Sequence, residues 1–264
     1  MRRTVRTMPE LLDAFFAPST GENAAGLFSC AHMCLLLVTV GIVAVALFYT
    51  RHLDFWGVCR ITRFVTLGFY ALELAKAAFS LGVLQTTDPN DLLPLYYCSL
   101  VLYMGPFAAH GARIGRVFFA VGALFGGVVF LLFPTTSLLR YPALHFISFH
   151  SFLWHGAMVY LALLWWWQGK YRPQKGDVWR VALPVGVLGA AALIFNTVYN
   201  SFHDPVANLM FLSKDFPGTP LSLLYRLCGR AFTPVMWLSQ AFLPYALLLL
   251  GVLLVRRFQQ SKGR

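Results

Sequence analysis

Charge is scarce in this chain. Only 12% of its 264 residues are Asp, Glu, Lys or Arg, and ten of them are acidic, against 58% hydrophobic and 16% aromatic residues. A soluble globular domain has no core large enough to hide that bias, so the bilayer is the expected solvent. The shortage of acid leaves a net charge of +11. In a soluble protein such an excess points to nucleic acid. Here the basic residues fall between apolar runs, where they orient helices and meet anionic lipid, so the expected partners are membrane lipids and not nucleic acid. Cysteine is also sparse, and odd in number: of five, Cys30, Cys34 and Cys98 sit in apolar runs, and Cys59 and Cys228 near run ends, so no disulfide framework is readable. Nor is a cleavable signal peptide expected. Pro9, Glu10, Asp13, Pro18 and Glu22 separate the basic start from the first apolar run, which is the wrong layout for one.

What the chain has in abundance is long apolar segments. A helix crossing a hydrocarbon core of about 30 Å needs about 20 apolar residues. Runs of that order bounded by charge, Pro or Gly lie at 27–49, 61–82, 92–110, 116–133, 143–168, 178–199 and 232–255. The fold expected is all-α: a polytopic membrane bundle of about seven transmembrane helices. It divides into an amino-terminal arm, 1–26, a single transmembrane domain, 27–255, and a basic tail, 256–264. In the arm, Met8, Leu11, Leu12, Phe15 and Phe16 have helical spacing and suit a helix lying in the interface. The one long connection, 200–231, carries His203, Asp204, Pro205, Lys214, Asp215 and Pro217–Pro220, and a loop of that length in so compact a chain reads as functional or a lid.

Lys and Arg distribute unevenly across such a bundle. Arg2, Arg3, Arg6, Arg140, Lys214, Arg226 and Arg230 fall on the amino-terminal side, whereas nearly twice as many, from Arg51 through Arg113 and Lys170 to Arg264, fall on the other. The expectation is a multi-pass protein of the plasma membrane with its amino terminus outside and its carboxyl terminus cytoplasmic. Trp165, Trp166 and Trp167 before Lys170 fit an aromatic belt at the cytoplasmic face.

Polar groups inside spans are costly and usually face a bundle interior or cavity, which makes them the place to look for function. In the second run Thr62, Thr66, Glu73, Lys76 and Ser80 fall within about 80° of one another, and Glu73 and Lys76, three apart, are spaced to pair. The pair reads either as packing or as a substrate contact. In the third run Pro94 suits a first helical turn, and Cys98 then lies roughly 9 Å below the outer edge. In the fifth, His145, Ser148, Ser151 and His155 share an arc of about 120°, while His150 points about 140° away from His145 and His155. One helix so arranged does not make a three-histidine metal site, and neither a metal nor another cofactor is expected. The sixth run ends with Asn196, Asn200 and His203 at i, i+4 and i+7, a stripe open to two readings, interhelical glue or substrate contact. Cys30, His32 and Cys34 read as core, and Gly122, Gly126 and Gly127 as close helix packing.

Leu93-Pro94-Leu95-Tyr96-Tyr97-Cys98-Ser99-Leu100, His150-Ser151-Phe152-Leu153-Trp154-His155-Gly156, Asn196 to Asn200, Asn208-Leu209-Met210-Phe211-Leu212 and Pro217-Gly218-Thr219-Pro220-Leu221 follow one another in an order that resembles a known pattern. It is that of the YwaF-type family of bacterial integral membrane proteins, distantly similar to eukaryotic transmembrane protein 164. The resemblance runs from about residue 60 to 250. Most bacterial members have no assigned activity; the eukaryotic relative is regarded as a cysteine-dependent acyltransferase acting on phospholipids. The resemblance implies Cys98 as the acyl-accepting thiolate, His155 of the His-Gly pair as general base, and His150 as second candidate. One departure is Tyr97, where many relatives carry a histidine or other polar residue before the cysteine.

A buried thiol needs a histidine within hydrogen-bond reach to act as a thiolate. Glu73, Lys76, His145, Asn196, Asn200 and His203 are the accompanying candidates for substrate contact; an amide of Asn196 or Asn200 turned to the same point would orient the histidine or meet an oxyanion. Two further classes stay open on the residues alone. One is a transporter or channel with Glu73, Lys76 and the histidines lining its path, though no inverted repeat is visible. The other is a non-catalytic membrane scaffold.

Overall fold

The computed structural model describes residues 8–18, 21, 23–204, 207–217 and 219–262, and among them every regular element is helical. Arg2, Arg3, Arg6, Glu22, Pro205, Gly218 and Arg264, which entered the sequence reading, lie outside the described residues. Among the described residues, seven segments are long and apolar enough to cross a bilayer: Cys30–Thr50, Phe55–Gly82, Pro89–Ala109, Arg113–Leu138, Phe146–Trp166, Asp177–Phe202 and Pro220–Leu254. They match the seven expected runs one for one and are called here the first to seventh spans. The fifth is central, burying Ser148, His150, Phe152, Trp154, His155 and Met158 among others. The first, second and seventh are peripheral. Their exposed Leu37, Leu74 and Leu253 are lipid-facing residues, for which hydrocarbon replaces water as solvent.

Two helix starts are set by short polar side chains. Ser29 Oγ accepts from His32 N at 3.1 Å before the first span, and Asp54 Oδ1 accepts from Gly57 N at 2.7 Å before the second. The second span therefore begins six residues ahead of its apolar run and takes in Arg60 as well. Hydropathy marks where side chains need lipid, whereas a helix satisfies its own backbone and continues through the interface.

The third span departs from the expected continuous helix. Pro89–Leu92 is one turn, and the chain is extended at Leu93 (ψ 128°) and at Tyr96 (ψ 161°); it then tightens into a 3₁₀ turn, Tyr97–Ser99, before the helix Leu100–Ala109. Cys98 thus stands at the mouth of a short helix, and the depth expected for it from a full helical rise does not hold. The fourth span carries a π-helical stretch, Phe118–Ala123, and its loosened ladder leaves Ala120 O to accept from Trp166 Nε1 at 2.7 Å.

The connection 200–231 is largely ordered as a plug. Ala207, Leu209, Met210 and Leu212 are buried, a helix follows at Pro220–Cys228, and a 3₁₀ turn at Gly229–Ala231 leads into Phe232–Lys262. Irregular backbone is tolerated at membrane depth only where protein surrounds it and satisfies it. The arm helix, Met8–Phe16, leans on the same end of the bundle through Phe15 and Phe16, whose rings lie 6.1 and 6.0 Å from Phe146.

At the opposite end the buried Asp177, first residue of the sixth span, binds four groups. Arg113 Nε and Nη2 donate to it at 3.0 and 2.7 Å, Arg180 Nη1 at 3.0 Å, Tyr171 OH at 3.2 Å and Gln174 N at 2.9 Å. Burial, and then the Asp177 carboxylate, hold the Tyr171 phenol protonated far above its ordinary range. Asp177→Asn keeps the shape but turns an amide NH₂ toward these donors, and is expected to cost about 1–3 kcal/mol. Thermal unfolding of the purified variant checks this; an unchanged midpoint would show the clamp to be idle.

Candidate functional site

The 3₁₀ turn brings Cys98 against the fifth span, where Trp154 Nε1 donates to Cys98 O at 3.4 Å. Trp154 packs on Phe69 of the second span at 4.8 Å between ring centroids, and on His150, one turn away, at 5.5 Å. Tyr103 OH donates to Pro94 O at 3.1 Å and braces the extended stretch ahead of the turn. Glu73 and Lys76 complete this quarter of the bundle. Lys76 Nζ stands 2.7 Å from Glu73 Oε1. That oxygen accepts no well-directed hydrogen bond, so the contact is ionic rather than a shaped bond.

His155 occupies the neighbouring face of the fifth span. Its ring stacks on Phe130 of the fourth span, 3.6 Å between centroids and 8° from parallel, and Nδ1 lies 2.7 Å from Ser151 O. A carbonyl only accepts, so Nδ1 carries the proton and Nε2 presents the lone pair. This is the tautomer a general base requires. Gly127 lets the fourth span close on this turn: a Cβ there would lie 3.0 Å from His155 O. Tyr97 points toward the fourth span, where Gly122 and Gly126 make room for its ring, and its buried hydroxyl has no hydrogen-bond partner.

The other candidate residues have different occupations. His145 is the amino-terminal cap of the fifth span: Nδ1 accepts from Ile147 N at 3.2 Å, and Nε2 therefore donates to Ala17 O at 3.0 Å. Burial lowers its pKa below the ordinary histidine value, against the opposing pull of the Ala17 carbonyl. The folded state thus prefers neutral imidazole. Stability from this cap is full above the unfolded pKa of about 6.5 and declines as pH falls below it, because the unfolded chain takes the proton more readily. His145→Asn, which caps without titrating, is expected to flatten that part of a melting-temperature-against-pH profile. A wild-type profile that parallels the variant's would contradict the assignment.

Asn196 and Asn200 each hold a backbone. Asn196 Nδ2 donates to Leu209 O at 3.1 Å and Oδ1 accepts from Leu209 N at 3.0 Å; Asn200 does the same with Ala207 at 2.9 and 3.1 Å. Two side-chain amides thereby replace the strand partner the plug lacks. His203 is exposed, stacked on Tyr199 with Nδ1 3.1 Å from Tyr199 O. The plug touches the third span instead: Asn208 N donates to Asn90 Oδ1 at 2.8 Å, and Phe211 packs on Tyr96 at 5.4 Å. Sequence reading did not single out Trp154, Phe130 or Asn90. Tryptophan four residues after His150 was the available signal for the first.

Fold and candidate residues together define a polytopic membrane helix bundle whose second, third and fifth spans carry an ion pair, a cysteine and histidines. A model of the TMEM164 family matches residues 27–255, the whole bundle, and the chain belongs to that family. No curated protein and no solved structure matches it.

Proposed function

We propose that the protein is a lipid acyltransferase that carries the acyl group of a phospholipid on Cys98 as a thioester. The observation that supports it most is the setting of Cys98. The residue sits on a tight turn where the third span breaks, held by Trp154 of the helix that also carries His150 and His155.

The steps follow from the groups present. His155 Nε2, its other nitrogen tied to Ser151 O, takes the Cys98 proton, with His150 as the second candidate base. The thiolate attacks the ester carbonyl, the C–O bond of the donor breaks, and the departing lysolipid oxygen receives the proton from the imidazolium. An acceptor lipid hydroxyl then gives its proton to the same nitrogen and attacks the thioester. The C–S bond breaks, and the sulfur regains the proton. Protein walls that exclude water favour transfer to lipid over hydrolysis. The Lys and Arg bias supports a plasma-membrane protein with its amino terminus outside, which puts the Cys98 end of the bundle in the outer leaflet.

The test is acyl transfer by the full-length protein in vesicles of a phospholipid bearing a tagged acyl chain. The expected result is a label removed by neutral hydroxylamine, with release of lysophospholipid. Absence of label together with solute or proton flux across the vesicles would overturn the reading in favour of transport.

A further inference from the structure

Asn90 lies in the one-turn helix Pro89–Leu92 that opens the third span, and its side chain is oriented from one end. Its Nδ2 and its backbone N both donate to Asp88 Oδ1, at 2.8 and 2.9 Å. A carboxylate only accepts, so the amide nitrogen is committed to Asp88 and Oδ1 is turned the other way. That one oxygen accepts from two distant parts of the chain, from Tyr96 OH at 3.1 Å and from Asn208 N of the plug at 2.8 Å.

Tyr96 in turn governs the turn that carries Cys98. Tyr96 O accepts from Ser99 N at 2.9 Å, the bond that closes the 3₁₀ turn around the cysteine. Its ring packs on Phe211 of the plug at 5.4 Å. Phe211 and Met210 adopt φ of 55° and 54°, and a left-handed backbone at bulky residues persists only where the surroundings over-determine it. The plug thus meets the Cys98 turn at the plug's own strained point, through one ring contact and one shared oxygen. We infer that Asn90 is a positioning residue for Cys98: its side-chain oxygen latches Tyr96 to the plug, so that the Cys98 turn keeps its shape only while the plug is seated. Cys98 is partly buried in that state. Unlatching frees the turn, which opens the thiol to small reagents but loses its fixed orientation toward the fifth span. The positioning role rests on the acyl-transfer reading of Cys98; the latch itself does not.

The test uses full-length protein in phosphatidylcholine vesicles and follows alkylation of Cys98 by N-ethylmaleimide, read by mass spectrometry on the peptide that carries it. Tyr96→Phe keeps the ring and loses the hydroxyl, and is expected to raise the alkylation rate about threefold to tenfold, the worth of one hydrogen bond. Phe211→Leu alters the plug alone and is expected to raise it by about the same factor, through the lost ring contact. Asn90→Leu takes the partner from Tyr96 and the plug together, and is expected to raise it at least about tenfold. Amide exchange in the fifth span should stay at the wild-type rate. An unchanged alkylation rate in any of the three would overturn the latch, and so would fifth-span exchange that accelerates in step with alkylation. If Asn90→Leu does not accumulate, Tyr96→Phe and Phe211→Leu decide. In acyl transfer Tyr96→Phe is expected to lower kcat about threefold to tenfold at unchanged KM. An unchanged kcat beside faster alkylation, or a change in KM alone, would remove the positioning role. Alkylation needs no lipid substrate, so wild-type protein that transfers no acyl group sinks the reading of Cys98 and leaves the latch to be judged by alkylation.

Discussion

Cys98→Ser is expected to abolish the hydroxylamine-labile acyl label outright, while the protein keeps its fold and abundance. Serine preserves the size of the side chain and the backbone bond from Trp154, since that bond goes to Cys98 O and not to the sulfur. What it removes is the atom that forms a thioester. His155→Gln separates two roles. Glutamine still offers an amide N–H to the Ser151 carbonyl that His155 Nδ1 meets at 2.7 Å, but it supplies no basic nitrogen. Labelling is therefore expected to slow by about 10²–10⁴-fold, the usual worth of a positioned general base. His150→Gln, at the second candidate base, is expected to slow it less than His155→Gln. A label that survives Cys98→Ser at the wild-type level would end the thioester mechanism. Equal losses for His150→Gln and His155→Gln would remove the distinction between the two rings that the two faces of the fifth span suggest.

The membrane fold was legible because span length is set by bilayer thickness, and run length is a property of sequence alone. The breaks were not. Pro94 fits the first turn of a helix, but a proline also biases the residue before it toward extended backbone, and Leu93, at φ −91° and ψ 128°, follows that second rule. That choice put Cys98 at the mouth of a short helix instead of partway along a full one. Wheel angles set Asn196 and Asn200 on one face correctly, yet could not say what they hold, because Ala207 and Leu209 offer only backbone, which every residue has. The same angles separated His150 from His155. The structure adds the reason the separation matters: one ring lies with Trp154 and the second span, the other on Phe130 of the fourth. His145 read as one more histidine of the helix; it is the cap that starts it.

Asn196→Leu is expected to cost more stability than any other single change considered. The side chain is fully buried, and leucine keeps its branched skeleton and number of heavy atoms, so no cavity is left and the effect comes chiefly from lost hydrogen bonds. Leu209 N and O both lose their partner in a region that water does not reach. At about 1–3 kcal/mol for each stranded group, the loss is about 2–6 kcal/mol. The backbone just beyond adds to it. Met210 and Phe211 adopt φ of 54° and 55°, a left-handed conformation that side chains other than glycine resist. Gln240 Nε2 holds Met210 O at 2.8 Å, but on the amino-terminal flank the Leu209 clamp is what keeps these two residues in place. Once Asn196 is gone, the plug is expected to open before the spans separate. Amide hydrogen exchange at 207–212 should then accelerate by at least about tenfold while exchange in the fifth span stays slow. Equal acceleration in both would mean that the plug and the bundle unfold as one unit. No acceleration at all would mean that the plug is held by its apolar side chains, with the asparagines incidental.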